Sequence, residues 1–199
     1  NQMFITKDNE NTTIDSSLVP FIFKLDKENT EVYPYIQTQV QINDNLYQVV
    51  PLFEQNDLSH QKLIEYDSQS IYLSYYCYRE LADNNINPES LEVSFVVSTN
   101  NNLYKDKKTY PIGGVLTKNN KCHYFKGENR YVYCSFQLLQ QIYKECHIDK
   151  LDSYQGYTVF VDDYDGYVTL YDELKDKGVV VNPCYAENTN FETIDNSKG

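Results

Sequence analysis

A strand, a helix and a second strand follow one another within residues 156–187, and this stretch constrains the fold more than any other part of the chain. The pattern predicts a strand for GYTVFVDD, a helix for GYVTLYDELKDKG and a strand for VVVNPCYAE. Tyr167, Leu170, Tyr171 and Leu174 recur at helical spacing and form the predicted buried stripe of the helix. Two strands joined by a crossover helix are parallel members of one sheet. The sequence therefore predicts a βαβ unit here.

The polar turn VDDYDG inside this unit has two interpretations. An EF-hand calcium loop needs oxygen ligands at positions 1, 3 and 5, glycine at position 6 and glutamate at position 12. With Gly166 at position 6, position 1 is Val161 and position 12 is Asp172, whose side chain is shorter than that of glutamate. Aspartate at a helix start caps free N–H groups and suits the positive end of the helix dipole. We therefore predict a capped helix start, with Gly178 as the left-handed C′ residue.

The rest of the chain alternates predicted strands with further helices. Strands are predicted for VYPYIQTQVQI and LYQVVPLF on either side of an NDN turn, and for LEVSFVVST, KTYPIGGVLT and RYVYCS. Helices are predicted for IDSSLVPFIFKLDKEN with Asp15 or Ser16 as N-cap, for SIYLSYYCYRELADNN from Tyr75 onward, and for FQLLQQIYKECH. The last of these places four residues on one face: Phe136, Leu139, Ile142 and Tyr143.

Other segments carry weaker signals. NNNLYKDK is predicted as a loop, and LSHQKLIEYDS as a loop or a short helix. The end segments NQMFITKDNENTT and ENTNFETIDNSKG are polar and are predicted to be partly frayed. No internal repeat is visible in the residue pattern.

Net charge and hydropathy exclude several classes of protein. The formal net charge is −12, and phosphate binding needs a surplus of Lys and Arg, so nucleic acid is not a predicted partner. No apolar run reaches the roughly 18–20 residues that span a bilayer, and no signal peptide is present. The first residue, Asn1, is not methionine, as expected of a piece of a longer protein. The 20 tyrosines suit binding surfaces, or reflect a biased genome.

No catalytic centre is predicted. The sequence contains no GxSxG, HExxH, GxGxxG or GxxxxGK[ST] motif. Gly113 and Gly114 are adjacent inside an apolar strand, where a bulge or close backbone packing explains them better than phosphate binding. The three histidines, His60, His123 and His147, occur in unrelated contexts. We therefore predict no catalytic, cofactor-binding or metal-binding residues, and no cofactor.

The five cysteines show neither the even count of a disulfide framework nor the CxxC spacing of a zinc site. Cys122 and Cys134 lie symmetrically about the KGENR turn, so a hairpin would allow either a cross-strand disulfide or two free thiols. Cys122-His123 and Cys146-His147 are pairs of potential zinc ligands. Adjacent residues on a strand point to opposite faces, so we predict no zinc site.

Three stretches carry a resemblance to a known family: KTYPIGGVLTKNN with RYVYCSFQLLQQIYKE, then GYTVFVDDYDGYVTLYDELKDKGVVV, and more weakly VYPYIQTQVQINDNLYQVV with SIYLSYYCYREL. They resemble three parts of the extracytoplasmic core domain of MacB-like and FtsX-like ABC transporter permeases. The first resembles the strand that ends in a "GVL"-type turn, with the strand and helix that follow it. The second resembles the closing βαβ unit, and the third resembles the strand pair near the start of the domain. The segments cover most of residues 15–185. The many Tyr and Asn residues, the cysteines and the lack of the usual glycines around residues 60–70 depart from the family pattern.

The resemblance implies a two-lobed α+β domain of mixed sheets with helices packed on them. Residues 1–87 and the returning βαβ unit with its tail, 154–199, are implied to form one lobe, and the inserted residues 88–153 the other. The implied location is the extracytoplasmic side of the cell membrane, periplasmic or extracellular. The implied partners are transmembrane helices of the same permease, a separate ATPase subunit or domain, a second permease in a dimer and an extracytoplasmic protein.

Three functions follow as hypotheses. The leading one is a non-catalytic permease domain that transmits ATP-driven conformational change to an exported substrate, a lipoprotein or a partner protein. The alternative is an extracytoplasmic module that binds or senses a peptide or a cell-envelope ligand through its tyrosines. The third, a secreted enzyme, has no supporting motif and would need paired carboxylates with raised pKa in a cleft.

Overall fold

The predicted α+β class is confirmed by the computed structural model, which describes residues 2–7, 13–27, 29–53, 66–99, 102–106, 108–116, 130–184 and 191–192. Backbone contacts divide the described chain into two compact units. The first unit contains residues 2–36 and 150–184, and the second contains 37–149 and 191–192, within the described ranges. The first unit is therefore discontinuous in sequence.

The described elements follow one another as short strands and helices. The strands are β1 (Gln2–Thr6), β2 (Thr30–Tyr35), β3 (Thr38–Ile42), β4 (Asn45–Leu52), β5 (Ile71–Ser74), β6 (Glu92–Ser98), β7 (Leu103–Lys105), β8 (Tyr110–Leu116), β9 (Tyr131–Ser135), β10 (Gly156–Val161), β11 (Val180–Cys184) and β12 (Phe191–Glu192). The α-helices are α1 (Val19–Phe23), α2 (Tyr75–Asp83), α3 (Phe136–Glu145) and α4 (Tyr164–Leu174).

The sheet of the first unit has the order β11-β1-β10-β2, and all neighbouring strands in it are antiparallel. β10 and β11 therefore run in the same direction within one sheet, as the βαβ prediction requires, but β1 lies between them. β1 and β2 are likewise parallel, with β10 between them. Two interleaved units of this kind give the β-α-β-β-α-β order of the ferredoxin-like, or split βαβ, topology.

The fraying predicted for the N-terminal segment is wrong for Gln2–Thr6, and residues 8–12 of that segment lie outside the described residues. Gln2–Thr6 is a central strand, paired with β10 on one side and β11 on the other, and all five of its residues are buried. Met3 and Ile5 are fully buried. The polar residues that follow this strand hide it in the sequence, because a five-residue strand is too short to show a clear pattern beside them. Its burial depends on partners 150 or more residues away in the chain.

Aspartates cap α4 and the turn that leads into α1, as predicted. Asp163 is the N-cap of α4, and its Oδ1 accepts a hydrogen bond of 2.8 Å from the backbone N–H of Gly166. Asp165 lies in the first turn, close to the positive end of the helix dipole. Asp15 caps the turn before α1 by accepting a hydrogen bond of 2.9 Å from the N–H of Ser17. The carboxylates of VDDYDG thus serve the helix start.

The buried stripe and the end of α4 differ from the prediction. Leu170 and Leu174 are buried, but Tyr167 is only half-buried and Tyr171 is exposed. Gly178 has the expected positive φ of 73°, yet α4 ends at Leu174 and a turn separates the two. The helix therefore rests on the sheet through its leucines, and tyrosines at the margin of the apolar stripe face outward.

Removal of the α4 cap provides a test of this assignment. Asp163→Ala is expected to lower the free energy of unfolding by about 1 kcal/mol, because the N–H of Gly166 loses its acceptor. Asp163→Asn keeps an acceptor oxygen and is expected to unfold close to wild type. Urea denaturation of the two variants provides the measurement. Equal losses in both variants would contradict a hydrogen-bonded cap.

Six strands of the second unit close into a ring. β8, β5, β9, β4, β3 and β6 are hydrogen-bonded in this order, and β6 also forms a short pairing with β8. β7 and β12 extend from β6 and β8 outside the ring. Closure removes the open edges of these six strands. The largest fully buried side chains of this unit include Tyr47, Tyr72, Phe95 and Tyr133.

The ring consists of two halves with equivalent pairings, β3-β4-β5-α2 and β6-β8-β9-α3. In this comparison β3 corresponds to β6, β4 to β8 and β5 to β9. The antiparallel pair β3–β4 then corresponds to the antiparallel pair β6–β8, and the parallel pair β4–β9 corresponds to the parallel pair β5–β8. The pairs β3–β6 and β5–β9 map onto themselves. The second unit therefore contains an internal topological repeat that the residue pattern does not show.

The two helices of the repeat also start and end alike. Ser74 and Ser135 are their N-caps, and each hydroxyl accepts a hydrogen bond from the backbone N–H three residues on, at 3.1 and 3.0 Å. Asn85 and His147 follow the helices with the same positive φ of 59°, and each precedes an isoleucine. The two halves share few other identical residues at equivalent positions. The repeat is therefore one of strand order and helix capping.

The unit boundaries differ from those that the family resemblance implies. The chain leaves the first unit after residue 36, not after 87, and returns to it at 150, not at 154. VYPYIQTQVQI is accordingly two strands, β2 in the first unit and β3 in the second. The physical reason is that β3, β4 and β5 pair with β6, β8 and β9 in one ring, so they belong with the middle segment.

The glycine pair of β8 forms the predicted bulge. β5 pairs with Ile112 and then with Gly114, and skips Gly113 between them. A Cβ atom on Gly113 would lie 2.9 Å from the Cβ of Ser70 and 2.9 Å from the Cζ of Tyr72. Glycine therefore lets the two backbones approach closely at this point.

Candidate functional site

An open pocket of about 530 Å³ lies in the second unit, between β7 and the end of α3. Its lining residues are Tyr104, Lys105, Asp106, Lys108, Glu145, Cys146 and His147. The predicted loop NNNLYKDK contains β7 and contributes one wall. The other wall follows the last turn of α3, so the pocket joins two segments that are distant in sequence.

Asp106 is the buried carboxylate of this pocket. Its Oδ2 accepts a hydrogen bond of 2.8 Å from the Tyr110 hydroxyl, and its Oδ1 accepts one of 3.3 Å from the backbone N–H of Lys108. Burial, followed by the hydrogen bond to Asp106, raises the pKa of Tyr110. Both carboxylate oxygens are engaged within the protein, which indicates that Asp106 holds the turn after β7 in place.

Two further groups define the electrostatics of the pocket. Lys108 Nζ lies 2.6 Å from Glu145 Oε1, and this hydrogen bond raises the pKa of the lysine. Cys146 is half-buried, and burial, together with the negative charges of Asp106 and Glu145, raises the pKa of its thiol. A thiol with a raised pKa is protonated at neutral pH and is a poor nucleophile. The pocket therefore lacks an activated cysteine.

The charge environment of Cys146 can be tested by alkylation. Glu145→Gln is expected to speed the reaction of Cys146 with iodoacetamide at pH 8, because it removes a negative charge that opposes formation of the thiolate. The difference should disappear at a pH high enough to ionise the thiol in both proteins. Peptide mass spectrometry gives the rate for this cysteine alone, and Glu173→Gln on α4 is the matched control. Equal rates at pH 8 would contradict the proposed electrostatics.

A second polar cluster surrounds α2. Arg130 Nη2 lies 3.0 Å from Glu80 Oε1. Burial raises the pKa of Cys77 to about 12, and burial with the neighbouring Cys77 and Glu80 raises that of Tyr47. Both groups are protonated at neutral pH, so this cluster also lacks an activated nucleophile.

The disulfide alternative is not formed. Cys134 is a buried free thiol on β9, and burial raises its pKa. Cys122 lies outside the described residues. The interpretation of free, buried thiols therefore holds for Cys134.

Cys146 and His147 lie at the end of α3, where the helix predicted for FQLLQQIYKECH places them, and both line the pocket. The assumption that this pair lies on a strand is wrong. Within the described residues, no group of three or more His, Cys, Asp or Glu side chains is arranged to hold a metal ion. His60, His123 and Cys122 lie outside the described residues, as does most of LSHQKLIEYDS.

A row of aromatic side chains forms the second candidate site, on the outer side of α4 in the first unit. We define the tyrosine face as Tyr164, Tyr167, Val168 and Tyr171. Ring centroids are 5.9 Å apart for Tyr164 and Tyr167, and 6.2 Å apart for Tyr167 and Tyr171. Tyr164 is 70% exposed, Tyr171 44% and Val168 37%. The face is therefore a continuous, mainly aromatic surface, exposed at Tyr164, Val168 and Tyr171 and half-buried at Tyr167.

The sequence matches no known protein family model, and no curated protein matches it. Among the described residues, no helix has both the length and the apolar character needed to span a membrane.

Proposed function

We propose that this chain is a non-catalytic extracytoplasmic domain of an ABC transporter permease of the MacB-like or FtsX-like type. It transmits ATP-driven conformational change to an exported substrate, a lipoprotein or a partner protein. The observation that supports this best is the discontinuous first unit. β1 and β2 share a sheet with β10 and β11, and the whole segment 37–149 is inserted between them. A lobe built from the first and last segments is what the family resemblance implies.

The strand pairing suits a mechanical role. β1 and β11 are antiparallel neighbours, and Gln2 at the start of β1 pairs with Cys184 at the end of β11. The chain thus enters this sheet and leaves it at adjacent points. A membrane helix joined to the start of β1 would move this sheet as one body, since its four strands belong to the same hydrogen-bonded layer. The segment after β11 continues to β12, which pairs with β8 in the second unit.

The proposal includes partners and a location. The transmembrane helices belong to the same permease, which works as a dimer, and a separate ATPase subunit or domain supplies the energy. The domain lies on the extracytoplasmic side of the cell membrane. No phosphate-binding loop motif occurs in the sequence, which agrees with an ATPase elsewhere.

The complete reading frame of the gene provides the experiment. We expect hydrophobic segments of about 20 residues on both sides of this domain, and an ATPase gene in the same transcription unit. A complete reading frame that lacks hydrophobic segments on either side of this domain would contradict the proposal.

The tyrosine face supports a second candidate function, a module that binds an extracytoplasmic ligand. Aromatic side chains aligned on one exposed helix face form the kind of surface patch that marks an interaction site. This function is compatible with the first, since a permease domain can also hold a partner.

A further inference from the structure

The tyrosine face combines aromatic rings with carboxylates. Its residues have the spacing i, i+3, i+4 and i+7, so they share one side of α4 while Leu170 and Leu174 pack underneath. Asp165 and Asp172, each one position beyond a residue of the face, project beside it and are exposed. The surface therefore offers ring faces and negative charge within the reach of one ligand.

The charge around this face is strongly asymmetric. Asp162, Glu173 and Asp176 are exposed on or next to the same helix. Lys175 lies 3.7 Å from Asp172 and forms an ion pair with that carboxylate. The net charge of the whole chain, −12, has the same sign. Such a field attracts cations and repels acidic ligands.

Tyrosine rings bind cations through their negative faces, and the positive group gains further from nearby carboxylates. The first unit already contains an interaction of this kind, since Lys177 Nζ lies 4.7 Å from the centroid of the Phe21 ring. We propose that the tyrosine face of α4 binds a cationic segment of a partner protein, rich in Lys and Arg, through cation–π contacts and ion pairs. This inference rests on the second candidate function and does not require the permease proposal.

A calorimetric titration tests the proposal on the intact chain. The probe is an acetylated, amidated peptide of alternating Arg and Gly, and a peptide with Gln in place of Arg is its neutral control. We expect the Arg peptide to bind, the Gln peptide not to bind, and added NaCl to weaken the complex because salt screens the charges.

Two double variants identify the site. Tyr164→Ala/Tyr171→Ala is expected to weaken binding about tenfold, the loss of two exposed cation–π contacts. Tyr75→Ala/Tyr76→Ala on α2 removes two tyrosines of similar exposure and is expected to leave the affinity unchanged. Circular dichroism confirms that both variants fold, which is expected since all four side chains are exposed.

Four results would overturn the inference. The first is no binding of the Arg peptide. The second is equal affinity in wild type and Tyr164→Ala/Tyr171→Ala, which would indicate binding by net charge alone, and the third is equal weakening by both double variants, which would show that the α4 face is not a specific site. Binding of a neutral chitin oligosaccharide with loss in the same α4 variant, without binding of the Arg peptide, would assign the face to carbohydrate and overturn it as well. None of these results bears on the membrane location of the domain, so failure here is distinguishable from failure of the permease proposal.

Discussion

Replacement of Gly113 by alanine is expected to destabilise the second unit by about 2 kcal/mol, because the added methyl group would overlap two buried neighbours. The new methyl group would lie 2.9 Å from the Cβ of Ser70 and 2.9 Å from the Cζ of Tyr72. Neither neighbour can yield easily, because both are buried and Tyr72 lies on β5, which pairs with β8 and β9. The strands must therefore separate at the bulge.

Urea denaturation followed by circular dichroism measures this loss. Gly178→Ala is the matched control, since nothing lies within 4 Å of a Cβ there and only the positive φ of 73° opposes the substitution. That strain is expected to cost about 1 kcal/mol. A loss at Gly113 no larger than that at Gly178 would contradict the close packing of β5 against β8.

Truncation of Leu139 to alanine is expected to lower the free energy of unfolding by about 3 kcal/mol. Leu139 is fully buried on α3, which packs on β9 and β4 of the ring. The lost methyl and methylene groups leave a cavity that close-packed strands cannot fill.

Gln140 provides the control for this substitution. It is the next residue of α3 and is exposed, so Gln140→Ala is expected to change stability by less than about 0.5 kcal/mol. Thermal and urea denaturation of the two variants give the comparison. Similar values for both would contradict burial of this helix face against the ring.

Local patterns predicted the elements well where strand and helix meet at a capping residue. The strand-to-helix transition near Tyr75, the buried face of FQLLQQIYKECH and the aspartate cap of α4 are all confirmed. Each depends on residues within one or two turns of each other. The same holds for the bulge at Gly113, which a glycine inside an apolar strand indicates.

Features that depend on the pairing of distant strands were not predicted from the sequence. β1 was predicted as part of a polar terminus because it is short and polar residues follow it. The strands that bury it lie at the other end of the chain. The boundary at residue 36 is invisible since VYPYIQTQVQI shows one continuous alternation across two sheets. Tyr171 has the spacing of a buried residue, but the leucines of α4 suffice to cover the sheet. The pocket combines β7 with the end of α3, and neither segment carries a motif.

Transmission of motion and binding through the tyrosine face are two separate functions of this chain in our proposals. The discontinuous first unit supports a body that moves with its attachment points, whereas the face on α4 supports contact with a cationic partner. Both belong to the first unit. A motion transmitted to that unit would therefore carry the bound partner with it.

Protease accessibility in intact spheroplasts tests the central claim most directly. The full-length gene product is expressed in its own cells, trypsin is added outside, and an antibody against this domain follows its cleavage. We predict that the domain is degraded while a cytoplasmic marker remains intact. A domain that stays protected until the membrane is broken would contradict an extracytoplasmic permease domain.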